Sequence, residues 1–255
     1  MTNQLTSKAI IPILICIFSI GCKQDKVEIT HDLIADGCIP QRITLDEPLL
    51  GGYDDNYVYK NDRLISYGNN TIEYENGLVS RVNLGSNRYE EYFYNEVFKV
   101  IKSVQYRQDN PSEGFKKVDE KEYKYVEDRI VEITDFDEME SRVITYYPNT
   151  RNIDTIRTFS NNMELIEIKV YQYDQFNNPQ KNLLVPRLNY SWWIERNSEN
   201  NMTQQKLTKL GSQPETIIWN YQLKYNNYNY PTEINSTKVN SNITTKMTIS
   251  YSNCE

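Results

Sequence analysis

Histidine is almost missing from this chain. His31 is the single copy in 255 residues, and it lies nine positions past Cys22, far from any segment that reads as core. A Ser-His-Asp site needs its imidazole at the centre of a folded cleft, so His31 reads as part of a tether. One histidine beside four cysteines also leaves no cluster with zinc spacing. Glycine is scarce too, at nine residues, and no Gly-rich phosphate loop is present. Basic runs are absent and the net charge is −7, which argues against nucleic acid and against electrostatic binding to anionic membranes. Long apolar runs are missing as well. The one run, Ala9–Gly21, is 13 residues and is interrupted by Ser19. A spanning helix needs about 20 apolar residues, whereas about 10–14 fits the core of a signal peptide.

That run follows Lys8 and ends on Ser19-Ile20-Gly21-Cys22, then turns into Lys23-Gln24-Asp25-Lys26. These residues resemble the lipobox of bacterial lipoproteins, with Ser19 where Leu is usual. The resemblance implies cleavage before Cys22, acylation of its thiol and, with Lys23 next in place of Asp, an outer-membrane address. The expected organisation is a signal peptide over 1–21, lipidated Cys22 and tether over 22–40, and one domain over 41–255. The 21-residue leader carries off one Lys and no acid, leaving 234 residues at net charge −8. All-β domains reach this length as single units. With Cys16 in the leader and Cys22 acylated, Cys38 and Cys254 remain at the two ends of the domain. An oxidising envelope permits their pairing. The expectation is a disulfide, with two buried thiols as the other reading.

The body is rich in tyrosine, at 21 residues. Segments beginning at Tyr57, Ile72, Glu122, Val170 and Tyr221 share a pattern: a strand ending in Tyr, a polar turn and often a second apolar strand. The turns carry Asn61-Asp62, Asn76-Gly77, Glu127-Asp128, Asn177-Asn178 and Asn226-Asn227, residue types that tolerate the positive φ of tight hairpins. Alternation is clean. Ile217, Trp219, Tyr221, Leu223 and Tyr225 share one face, and Ile218, Asn220, Gln222 and Lys224 the other. Met247, Ile249 and Tyr251 alternate with Thr248, Ser250 and Ser252. Period two with one polar face predicts antiparallel sheet, and no helical stripe competes with it. The predicted fold is all-β, a long curled antiparallel β-meander of successive hairpins. Its two edges need protection, and the disulfide and the segment before Tyr53 are the candidates.

In these Tyr-x-Tyr hairpins the chain resembles the tyrosine-rich YD/RHS-type repeat, and more closely the envelope lipoproteins that carry degenerate copies of it. Tyr251 followed shortly by Cys254 fits their ending. The resemblance spans about residues 53–255. It implies a curling meander and brings no catalytic residue with it.

Two clusters remain. Asp135, Asp137, Glu138 and Glu140 crowd "DFDEME", and Asp54-Asp55 precede the first Tyr strand. Calcium takes six to eight oxygens, so the first cluster is a calcium candidate, though it lacks the EF-hand Gly and the terminal Glu. A solvated acidic turn is the plain reading. In "NYSWWIE", Trp192 and Trp193 point to opposite faces if the segment is a strand. The outer one, beside Tyr190, is a candidate for stacking on a glycan or anchoring a partner protein. No cofactor is expected. The favoured function is an outer-membrane-anchored, non-catalytic β platform that binds a protein, glycan or lipid, or serves structurally. The alternative is a carboxylate-dependent, glycosidase-like envelope hydrolase.

Overall fold

The computed structural model describes residues 38–46, 52–61, 63–181, 198–241, 243–252 and 254. Strands dominate, and no helix occurs among these residues. In chain order they are β1 (Ile39–Asp46), β2 (Tyr53–Lys60), β3 (Arg63–Tyr67), β4 (Asn70–Glu75), β5 (Leu78–Leu84), β6 (Arg88–Tyr94), β7 (Val100–Arg107) and β8 (Lys116–Val126). There follow β9 (Arg129–Asp135), β10 (Glu140–Tyr146), β11 (Ile153–Ser160), β12 (Leu165–Asn177), β13 (Asn200–Lys209), β14 (Glu215–Tyr225), β15 (Pro231–Lys238) and β16 (Thr244–Ser252). Each pairs antiparallel with its sequence neighbours, and β1 pairs with β16, so the meander closes into a barrel.

Closure changes the expectation of two edges. The segment before Tyr53 does not cover an edge; it supplies β1, the strand that removes both. The barrel includes Cys38, Ile39 and Pro40, which end the stretch assigned to tether. Cys38 and Cys254 are disulfide-bonded and fasten the start of β1 to the end of β16 beside the closing seam. Every described strand finds both of its hydrogen-bonding neighbours between Ile39 and Ser252.

The predicted turns fall on one rim, together with Cys38. Asn61, Asn76 and Glu127 adopt φ of 50°, 51° and 55°, and Gly77 adopts 84°. Asn76-Gly77, with both residues left-handed, is a two-residue link whose twist matches the strands it joins. Two longer links on this rim share another device. In Asn95–Lys99 the Asn95 side chain accepts the N–H groups of Val97 and Lys99, and Phe98 takes φ 61°. In Asn226–Tyr230 the Asn226 side chain accepts those of Tyr228 and Tyr230, and Asn229 takes φ 63°.

The even-numbered strands run toward this rim, and the tyrosines gather at their ends. In all eight the register shifts by a bulge immediately before the last tyrosine, at Tyr59, Tyr74, Tyr94, Tyr125, Tyr146, Tyr173, Tyr225 and Tyr251. The partners across the next strand are Leu64, Val79, Val100, Ile130, Ile153, Met202, Pro231 and, across the closing seam, Pro40. A bulge breaks the ladder locally and leaves a main-chain group to be satisfied. At five of these positions a tyrosine of the following hairpin satisfies it. Tyr74 OH donates to the Leu64 carbonyl at 2.8 Å, Tyr94 OH to Val79 at 2.7 Å, Tyr146 OH to Ile130 at 2.8 Å and Tyr251 OH to Pro231 at 2.6 Å. Tyr59 OH donates to Pro40 at 3.0 Å, and Pro40 is the partner of Tyr251 across the closing seam. The result is a tyrosine belt that links hairpin to hairpin across the junction where the barrel closes.

A round sixteen-strand barrel leaves a water-filled channel. Here the inward face is mostly apolar and much of the lumen is filled. Val79, Ile133 and Tyr171 have no solvent exposure. The buried members of the core cluster come from β1–β12 and β16, while β13–β15 contribute only the half-buried Met202 and Ile234.

Candidate functional site

That thinner packing leaves a cavity of about 400 Å³ in the lumen beside β13–β16. Its wall follows from alternation. Trp219, Tyr221 and Leu223 of β14 face inward together, as do Ile234 and Ser236 of β15, Thr245, Met247 and Ile249 of β16, and Leu45 of β1. Met202 and Gln205 come from β13, and Asn201 joins them. The link after β12 completes the wall with Asn178, Pro179 and Gln180, all buried. This link is held in place by side chains: Asn178 donates to the Ser198 carbonyl at 2.8 Å and accepts the Gln180 N–H at 2.9 Å. The wall is mostly apolar, with a few amides and hydroxyls and, among the described residues, no acid, lysine or arginine. Its size lies at the lower end of the roughly 300–1,000 Å³ usual for ligand sites, and its chemistry is of the usual kind.

A charged group occupies the lumen across β6–β9. Lys121 is buried and pairs with Asp119, and with Asp135 at 3.3 Å. Glu90 is buried, and burial pushes its carboxyl above the usual range against the opposing pull of Ser103, Tyr92 and Lys121. Ser103 and Tyr123 share a hydrogen bond of 2.9 Å. None of these groups lines the cavity.

The acidic cluster read from "DFDEME" does not converge on a calcium site. Asp135 faces Lys121 in the lumen, Glu138 and Glu140 face Arg142 at 3.3 and 3.6 Å, and Asp137 is exposed. Cations on neighbouring strands have taken the oxygens that an ion would need. Among the described residues no three of His, Cys, Asp and Glu are arranged to hold a metal. Asp54 pairs with Arg42 on the outer surface. Cys22, His31, Tyr190, Trp192 and Trp193 lie outside the described residues. Trp219, the tryptophan on the cavity wall, was legible as part of an apolar face but not as part of a cavity. Glu90 alternates with Tyr92 and Tyr94, and Lys121 with Tyr123 and Tyr125, the pattern that signals a buried charge in the sequence.

The outer surface carries cross-strand ion pairs, with their cations at the centre of β5 and toward the ends of β8, β14 and β16. Arg81 meets Glu91 at 2.6 Å, Lys124 meets Glu132 at 2.6 Å, and Glu233 meets both Lys224 at 2.6 Å and Lys246 at 2.9 Å. Their chain neighbours Val82, Tyr123, Ile133 and Ile234 face inward.

No family model matches the sequence, and no curated protein matches it. Solved structures do. A porin-like protein from Bacteroides vulgatus is 12% identical, with a TM-score of 0.56 over 84% of this chain and 99% of that one. A porin-like protein from Bacteroides uniformis is 14% identical, with a TM-score of 0.53 over 84% and 98%. At this identity the likeness establishes the closed β-barrel fold.

Proposed function

We propose that the protein is a non-catalytic barrel of the cell envelope, held at the outer membrane by acyl chains on Cys22, that carries a small apolar molecule in its lumen. The lumen cavity is the observation that carries this reading. It retains the binding role expected of the domain and moves it from a sheet face to the interior. A hydrolase finds no support in the same geometry, since among the described residues no acid borders the cavity.

Its neighbours' porin-like description does not extend to spanning. A membrane barrel turns apolar residues to lipid and polar ones inward. This barrel is arranged the other way. A Lys or Arg at the lipid midplane costs about 2–4 kcal/mol and less toward the interfaces; Arg81 lies on the outside at the centre of β5, and Lys124, Lys224 and Lys246 lie outside nearer the strand ends. The barrel therefore sits in water, and attachment falls to the Cys22 lipid. Several acyl chains on one residue suffice for that where a single one gives only marginal binding.

Two measurements test the two halves. Fatty-acid labelling should mark the wild type and not Cys22→Ser; equal label on both would remove the anchor. The chain from Lys23 to Glu255, in detergent-free buffer, should bind the neutral fluorophore N-phenyl-1-naphthylamine saturably at one site. Linear, unsaturable signal would remove the ligand-carrying role.

A further inference from the structure

We infer that the lumen site selects an uncharged amphiphile, an apolar chain bearing a hydrogen-bond acceptor such as a hydroxyl, ester or ketone, and rejects carboxylates and amines of the same length. This rests on the ligand-carrying reading above and narrows it to one chemical class.

The first ground is the absence of a counter-ion. Among the described residues the wall holds neither acid nor base. The charges behind it are already engaged. Asp174 accepts the Asn201 N–H at 3.1 Å and the Tyr225 hydroxyl. Glu233 is held by Lys224 and Lys246 on the outer surface. A charged head group entering the lumen would give up water for no partner, which costs far more than burying a neutral one.

The second ground is what the polar wall groups offer. Tyr221 OH donates to Gln205 Oε1 at 3.2 Å, which leaves the NH₂ end of that amide as its contribution to the cavity. Ser236 and Thr245 hydrogen-bond to each other. One hydroxyl proton is used in that contact and the other remains to donate. The wall thus presents neutral donors beside neutral acceptors, such as the amide oxygen that Asn201 keeps once its NH₂ is spent on Asp174, and the complementary ligand group is a neutral one able to accept.

The third ground is size. At about 30 Å³ per water the cavity would hold roughly 13 waters, so the apolar part is a medium chain or a compact ring system. A membrane phospholipid does not fit inside.

A matched series tests this: 1-decanol, decanoate and decylammonium at pH 7.5, read by Trp219 fluorescence in the chain from Lys23 to Glu255 carrying Trp192→Phe and Trp193→Phe. The expected order has 1-decanol tightest and both ions weaker by on the order of 100-fold. Either ion binding within about tenfold of the alcohol overturns the selectivity while leaving the ligand-carrying reading intact. Failure of all three to bind removes both. Gln205→Lys supplies the missing cation and should bring decanoate to within about tenfold of decanol. No change in that ratio, with the Cys38–Cys254 bond intact, also overturns the inference.

Discussion

Tyrosine is the residue that organises this molecule. Its ring is large enough to fill the lumen near the turn rim, and its hydroxyl reaches a carbonyl that the bulge leaves outside the ladder. Phenylalanine would do the first and leave the second undone. Tyr94→Phe therefore removes the bond to the Val79 carbonyl and should cost about 1–3 kcal/mol, since a buried acceptor loses its partner. Chemical denaturation checks this. A value near zero would mean that the bond contributes no net stability. The belt also sets an alkaline limit. Burial raises the phenol pKa of Tyr59, Tyr125, Tyr146 and Tyr251, and pushes that of Tyr74 up to about 12. Unfolded tyrosine titrates near ~10. Below that pH both states keep the proton and stability is at its full value. Above it the unfolded chain releases protons that the folded chain retains, so stability falls as pH rises. Denaturation midpoints should be level with respect to these groups between pH 8 and 9 and drop beyond about 10, a fall that Tyr→Phe variants shrink.

At the scale of the element, the hairpins were legible because their signals are local. Asn76-Gly77 names its own turn, and the alternation of Ile72 and Tyr74 with Glu73 and Glu75 before it names the strand. The bulges were not legible. Nothing in Val58-Tyr59 or Lys124-Tyr125 says that the register slips there, because the slip is stabilised by a hydroxyl from the next hairpin. The link after β12 also gave little away, although Asn177-Asn178 marked its start. Asn226 shows how a turn is held without glycine: one side-chain oxygen accepts two N–H groups, at Tyr228 and Tyr230. Asn226→Ala leaves both without that partner and should cost about 1–2 kcal/mol. Asn226→Asp keeps the acceptor and should recover most of it. Equal loss in both variants would place the role elsewhere.

For the whole molecule, sequence alternation revealed two faces but could not say which would meet water. That was decided by closure, and closure depends on Ile39–Asp46 finding β16, a pairing across the length of the domain that no local pattern announces. The candidate site was hidden for the same reason. Trp219, Leu45 and Met247 become neighbours only once the ends meet. The disulfide was easier to foresee, since two thiols at opposite ends had few other uses. It spans a sequence separation of 216 residues, and the chain-entropy model gives such a bridge about 5 kcal/mol. Cys38→Ser with Cys254→Ser should lower stability by up to that amount in guanidinium unfolding. A loss below about 1 kcal/mol would show that β1–β16 pairing closes the barrel without it.

The central claim is that this barrel is apolar within, wet outside, and carries a ligand in the remaining space. Calorimetric titration of 1-decanol into the detergent-free chain from Lys23 to Glu255, at several temperatures, tests it most directly. The account predicts saturable one-to-one binding with a negative heat-capacity change, the mark of apolar burial, and loss of both when Ile234→Trp fills the cavity in a folded, disulfide-bonded variant. No saturable binding, or undiminished binding in that variant, would contradict it.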